Sequence, residues 1–233
     1  MKIVHVINSL GLGGAERQLA LVSREVARLG LDQVVVPIVR AGNNPKLVVP
    51  ILKTPRSRLF SILASTFGAV RVIRKSHKAV VVAWMYHSWL LSIIAVRLSF
   101  RFPNIFLYCR HGDLQSLQAS TTYVCRLALW LAAKYDPVIV FNSYQARASH
   151  ASLTENFRTT VIPNGVEVAD WIPSPRKRVI GFLGRNHPDK GADRLDSIVP
   201  ALLARLPDWR FMGAGHGMQA HSESLRSALV AKG

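Results

Sequence analysis

Apolar positions along the chain alternate between two periods. "KIVHVIN" (2–8) is a short β-branched run that predicts a strand, and a glycine-rich loop follows it. In "AERQLALVSREVARLG", Ala15, Leu19, Val22, Val26 and Leu29 recur at helical spacing, with Gly30 as a stop. "DQVVVPIV" (32–39) is again strand-like. The spacing predicts a helix over 58–78 whose apolar stripe is Leu59, Ile62, Thr66, Val70 and Ile73. "AVVVAWMY", "NIFLYCRH", "PVIVFNS" and "TTVIPNG" predict further strands. "SWLLSIIAVRLSF", "TTYVCRLALWLAAKY" and a segment from Tyr144, capped by Ser143, predict the helices between them.

Strands that alternate with helices and read as continuous Val/Ile runs predict a parallel sheet covered on both faces. Residues 1–165 suffice for one doubly wound, Rossmann-like domain. A proline-bearing link, 166–177, separates it from a second series over 178–233. There "RVIGFLG" and "WRFMGAG" predict strands, and 192–206 and 218–232 predict helices. A doubly wound domain needs about 150 residues at about 30 per βαβ unit. The second series therefore reads as an unfinished domain, and its last strand, 209–215, as an edge prone to self-association.

Charge narrows the choice of partner. The formal net charge is +17, and between Gln33 and Gly112 there is no acidic residue but twelve Lys or Arg. Such a field favours phosphates, nucleotides, nucleic acid or an acidic membrane face. No RRM or zinc-finger pattern accompanies it, so nucleic acid is not expected. Cys109 and Cys125 lack metal-type spacing and read as buried reduced thiols of a cytoplasmic protein. "MKIVHVINSLGLGG" lacks a cleavage site, so no signal peptide is expected. Residues 79–96 carry no formal charge, but His87 and Ser88 split them into a strand half and a helix half, and no membrane crossing is expected.

Candidate chemistry gathers at strand ends. "GLGGAE" (11–16) follows a strand and opens a helix, where backbone N–H groups can meet a phosphate or simply form a tight turn. Glu16 replaces the last glycine of the dinucleotide fingerprint, and Arg40 follows the second strand where an acidic ribose ligand belongs, which speaks against NAD. No P-loop run exists. Arg185 and Lys190, in "GFLGRNHPDKG", sit past a strand's carboxyl end. They can neutralise a diphosphate without a metal, or belong to a solvated loop with Asp189. His111 and His87 lie at two more strand ends, where each can bond a substrate or be structural. Arg71, Arg74, Lys75 and Lys78 are spaced to share one helix face, either solvated or resting on an anionic membrane.

The order of these motifs is more specific than any one of them. "HVINSLGLGGAERQL", "VIPNGVE", "GFLGRNHPDKG" and "PDWRFMGAGHG" resemble family 4 of the retaining, nucleotide-sugar-dependent glycosyltransferases, from residue 2 to about 219. The resemblance implies the GT-B architecture of two Rossmann-like domains, the second present here in its first part only. It further implies that Arg185 and Lys190 hold the donor diphosphate, with Gly13 and Gly14 near it. His111 would stand near the transferred sugar as the catalytic residue, and His87 is a candidate acceptor contact. Transfer with retention, no metal or other cofactor, a glycan or lipid-linked acceptor and a peripheral position on the inner face of the plasma membrane are expected with it. The acidic donor-sugar motif of the family is missing, since after Gly217 the only acid is Glu223. That departure predicts a truncated transferase, or an inactive remnant that binds a membrane or partner.

Overall fold

β-Branched residues that face both sides of a strand need cover on both sides, and the first part of the chain provides it. In a computed structural model, which describes residues 1–11, 13–39, 44–55, 57–109, 114, 118–168, 177–187 and 190–218, the chain forms two units, Met1–Val168 and Ala169–Gly233. The first is built on β1 (Lys2–Ile7), β2 (Asp32–Pro37), β3 (Ala79–Trp84), β4 (Asn104–Cys109), β5 (Val138–Phe141) and β6 (Arg158–Val161). Their spatial order is β2-β1-β3-β4-β5-β6 and every pairing is parallel. An isolated parallel bridge joins Val35 of β2 to Ile51, which lies outside the strands.

Alternate side chains of the strands feed two cores. Val4, Val6, Val34, Val36, Val81 and Ala83 face a large core that takes in Val70, Ile73, Trp89, Ile93, Leu107 and Leu129. It is covered by α2 (Arg58–Lys75), α3 (Tyr86–Ser99) and α4 (Ala119–Ala132). Fully burying one such aliphatic or aromatic side chain contributes about 1.5–3 kcal/mol. The opposite face is smaller: Ile7, Val35 and Trp84 meet Leu19 of α1 (Gly14–Arg28). α3 is apolar nearly all round because α2 and α4 flank it while the sheet lies beneath.

The sheet and its helices were legible in the hydrophobic pattern, and two details of α2 correct it. The helix ends at Lys75, where Ser76 turns extended, so Lys78 lies beyond it. Its sheet face is Ser61, Ser65, Ala69, Val70 and Ile73, while Leu59 of the expected stripe is exposed with Phe60, Leu63 and Phe67. Small side chains win this face because two strand-end carbonyls need donors there. Ser61 Oγ donates to Ile38 O at 2.8 Å and Ser65 Oγ to Pro37 O at 2.5 Å.

One buried polar row crosses the smaller face. His5 Nε2 lies 3.3 Å from Gln33 Oε1, and Gln33 Nε2 donates to Ser23 O at 2.6 Å. Trp84 Nε1 donates to His5 Nδ1 at 3.4 Å. Burial, opposed by the Gln33 hydrogen bond, lowers the His5 pKa to about 4 and keeps the ring neutral.

The second unit contains β7 (Val179–Leu183) and β8 (Arg210–Ala214), paired in parallel. Between them lie a 3-10 turn at Ala192–Arg194 and a helix, Leu195–Arg205. Ala192, Leu195, Val199 and Met218 make its core, with Phe182, Leu203 and Phe211 against them. The helix expected over 218–232 lies outside the described residues, apart from Met218.

Candidate active site

The connections of the first sheet reverse direction at one place. From β1 the chain passes through α1 to β2 on one side, then returns through α2 to β3 on the other. Open α/β sheets bind ligands in the crevice such a reversal leaves at the strands' carboxyl ends. Here it is a cavity of about 290 Å³ lined by Ile7, Asn8, Ser9, Ala15, Glu16, Trp84, Met85, Tyr86, His87 and Thr121.

The walls are held firmly. Met85, between β3 and α3, has φ 73° and ψ 165°, a conformation that costs a residue with a Cβ about 1–3 kcal/mol. Two hydrogen bonds pin it, from its own N–H to Tyr108 O at 2.9 Å and from Trp89 N–H to its carbonyl at 3.1 Å. The bend brings Tyr86 inward and leaves His87 exposed at the cavity rim. Behind Tyr86, His150 Nδ1 lies 2.8 Å from Ala146 O, an atom that only accepts, so Nδ1 carries the proton. Nε2 then accepts from Tyr86 Oη at 2.5 Å, and Cys109 Sγ is 3.3 Å from that oxygen. Burial, followed by Cys109, pushes the Tyr86 pKa up, so the phenol keeps the proton it donates. Cys125 is buried nearby with its thiol pushed up to about 12, chiefly by burial.

Gly13 is the N-cap of α1 and Gly14 its first residue. The loop they start is occupied by the chain itself. Glu16 folds back so that a Cβ at Gly13 would overlap its Oε2, and Ser9 Oγ donates to its Oε1 at 3.1 Å. The expected diphosphate floor thus has a carboxylate over it. Sequence reading passed over Glu16 as a flaw in a fingerprint, although a glutamate three residues after an N-cap is placed to reach back over the helix start.

The chain after β6 is clamped to α1. Tyr108 Oη donates to Ile162 O at 3.2 Å. The Gln18 amide grips Gly165 twice, donating to its carbonyl at 2.5 Å and accepting from its N–H at 3.0 Å. Arg24 pairs with Glu167, whose pKa falls through that hydrogen bond and charge.

In the second unit, Arg185 follows the carboxyl end of β7 and Lys190 closes the same loop, both exposed. Neither makes an ion pair among the described residues. Asp189 and Pro188 lie outside the described residues. Ladder-like bonds hold the loop beside that of β8: Gly184 N–H to Ala214 O and Asn186 N–H to His216 O, both 2.9 Å. Only glycine fits at 215, where φ is 141° and a Cβ would overlap the Gly184 carbonyl.

The remaining expected residues scatter. His111 lies outside the described residues. Arg71, Arg74, Lys75 and Lys78 do not form one face. Arg74 turns onto the end of α3, donating to Leu98 O at 2.8 Å and stacking on Phe100, while Lys75 and Lys78 line a cavity at the sheet's amino end. Arg71 is exposed on α2. Among the described residues, no cluster of acidic, histidine or cysteine ligands could hold a metal ion, and no helix is long and apolar enough to cross a membrane.

The molecule thus joins a sheet switch point with a cavity to a second parallel sheet bearing two exposed cations. Residues 12–170 match the profile described as Glycosyltransferase Family 4. The chain belongs to that family. As a family 4 glycosyltransferase it shares its fold with Anabaena Alr3699/HepE in complex with UDP, at a TM-score of 0.72 and 17% identity over 99% of this chain and 66% of that one. The same protein with UDP and glucose gives 0.71. The apo form of the lipopolysaccharide outer core galactosyltransferase WaaB gives 0.66 at 14% identity, over 100% of this chain and 66% of that one. The chain therefore spans just under two thirds of the length of these structures. No curated protein matches it in sequence. These likenesses establish the fold: α/β, GT-B-like, with a full Rossmann-like sheet first and the opening strands of a second.

Proposed function

We propose that the chain acts in transfer of a sugar from a nucleotide-diphosphate sugar to a glycan or lipid-linked acceptor, with retention and without a metal. The observation that supports this reading is the pair Arg185 and Lys190. In a chain where acids commonly find a cation, these two are exposed, without an ion pair among the described residues, at a sheet's carboxyl edge. As leaving-group charge builds on a departing diphosphate, two fixed cations stabilise it, and the acceptor hydroxyl can then attack from the face the diphosphate vacates. Neighbours of the same fold crystallised with UDP, and with UDP and glucose, support a nucleoside diphosphate as the leaving group.

The first unit would rest on an anionic membrane, a reading supported by composition and exposure. α2, α3 and α4 contain no Asp or Glu, and Phe60, Phe67, Tyr123 and Trp130 are exposed on α2 and α4. The same surface would serve a second reading, binding without catalysis.

Nucleotide release from UDP- and GDP-sugars by the purified chain, with lipid-linked and soluble acceptors, tests both. Acceptor-dependent release supports the transferase. Nucleotide binding without release favours the second reading, and neither binding nor release overturns the first.

A further inference from the structure

Charge pairing sets one residue of the first unit apart. Acids are scarce, 13 against 30 Lys and Arg, and most described acids of the first unit sit exposed beside a cation. Asp32 pairs with Lys2, Glu25 with Arg28, Asp136 with Arg158 and Glu167 with Arg24. Glu16 alone among the described acids is not exposed, and its only side-chain partner there is the Ser9 hydroxyl. A half-buried carboxylate loses hydration that a single neutral hydroxyl does not restore, and such a group persists where a ligand completes its hydrogen bonds.

The surroundings fit one kind of ligand. Glu16 faces the 290 Å³ switch-point cavity, whose other polar groups are Asn8, Ser9, His87 and Thr121, above an apolar floor of Ile7 and Trp84. Among the described residues, no lysine or arginine lines it. A carboxylate has two oxygens that accept from adjacent hydroxyls, while the amide, hydroxyls and imidazole complement further ones. The apolar floor suits the C–H face of a pyranose. A phosphate or uronate would meet an unpaired negative charge instead.

Resting on the transferase reading, we propose that Glu16 is the positioning and specificity residue that holds neighbouring hydroxyls of a neutral acceptor sugar in this cavity. It is distinct from the cations that would take the donor diphosphate. Its charge selects uncharged sugar ends over phosphorylated ones.

Saturation-transfer NMR on the full chain, with methyl glucoside, methyl galactoside and methyl mannoside against their 6-phosphates, tests this. At least one neutral glycoside should receive saturation and its 6-phosphate should not. Glu16→Gln keeps the shape and loses the charge, so affinity should fall about tenfold and discrimination against the phosphate should shrink. Thr121→Leu adds bulk to the cavity from α4 while keeping the carboxylate of Glu16, and should abolish the same signal. Circular dichroism melting of each variant separates unfolding from lost binding. Glycoside signals unmoved by both substitutions, no signal with any neutral glycoside, or a preference for the phosphates would each overturn the role of Glu16. Nucleotide binding is read separately: a chain that binds neither UDP nor GDP but binds glycosides through Glu16 sinks the transferase reading and leaves the neutral-sugar site standing.

Discussion

At the carboxyl edge of the first sheet, β1 and β3 part around a cavity whose charged wall is the carboxylate of Glu16. At the carboxyl edge of the second, β7 ends in a loop presenting Arg185 and Lys190. Both edges belong to parallel sheets and both follow glycine-containing turns. Their charges are opposite, a carboxylate at one and two exposed cations at the other. Their support differs too. The first edge is backed by a strained Met85, a buried Tyr86–His150 pair and the Gln18 clamp, whereas the second depends on backbone bonds between two loops and on Gly215. The same fold position can thus be given opposite roles by a few side chains.

The sharpest way to break this contrast is to remove the cations. Replacing Arg185 and Lys190 together by alanine should weaken UDP binding at least about a hundredfold by calorimetry, since each charged hydrogen bond contributes roughly 1.5–3 kcal/mol. Unchanged affinity would show that the second edge is not the anion side.

Acid tests how firmly the first edge is built. The folded-state pKa of His5, about 4, lies below its usual 6.5. Between those values the unfolded chain binds more proton, so stability should fall as pH falls through that window, by roughly 3 kcal/mol in all. Urea unfolding at pH 7 and pH 4.5 reads the loss, and His5→Gln should flatten the His5 share of it. Equal stability of the wild type at both pH values would contradict the neutral buried ring.

A smaller effect is expected behind the cavity. Tyr86→Phe removes the 2.5 Å donor to the buried His150 Nε2 and leaves it the longer Cys109 Sγ contact at 3.7 Å, at a cost of about 1–3 kcal/mol. Thermal unfolding measures it, and an unaltered midpoint would mean that the Tyr86–His150 bond adds nothing. Smallest is the clamp: Gln18→Ala should destabilise by about 1 kcal/mol and speed hydrogen exchange at the Gly165 amide, which it now accepts from. Unchanged exchange would show that Gly165 is held some other way.

Most of the fold was legible in the sequence because burial and periodicity coincide there. β1, α1 and β2 fall within a residue or two of their expected bounds, and Ser143 caps α5 (Tyr144–Ser149) by accepting from Ala146 N–H at 3.1 Å. The stripe expected for α2 leaves out two serines that belong to its inner face. Ser61 and Ser65 go inward to satisfy carbonyls, and Phe60 and Phe67 are left outside. The basic face failed for a similar reason. Spacing placed Arg74 beside Lys75 and Lys78, but the carbonyls at the end of α3 claim its guanidinium. The candidate site was legible at strand ends, where His87 and Arg185 stand, since chain direction alone fixes those. Glu16 escaped because its meaning depends on its lacking a cation among the described residues, and no spacing rule encodes that.

The placement of Trp84 has a practical consequence. Its indole is buried, stacked on Tyr108 with ring centroids 4.8 Å apart, and forms part of the floor beneath Glu16. A sugar settling in that cavity would change the surroundings of the indole. The molecule thus holds its own fluorophore at the point of contact, and occupancy can be followed through tryptophan emission without attaching a dye.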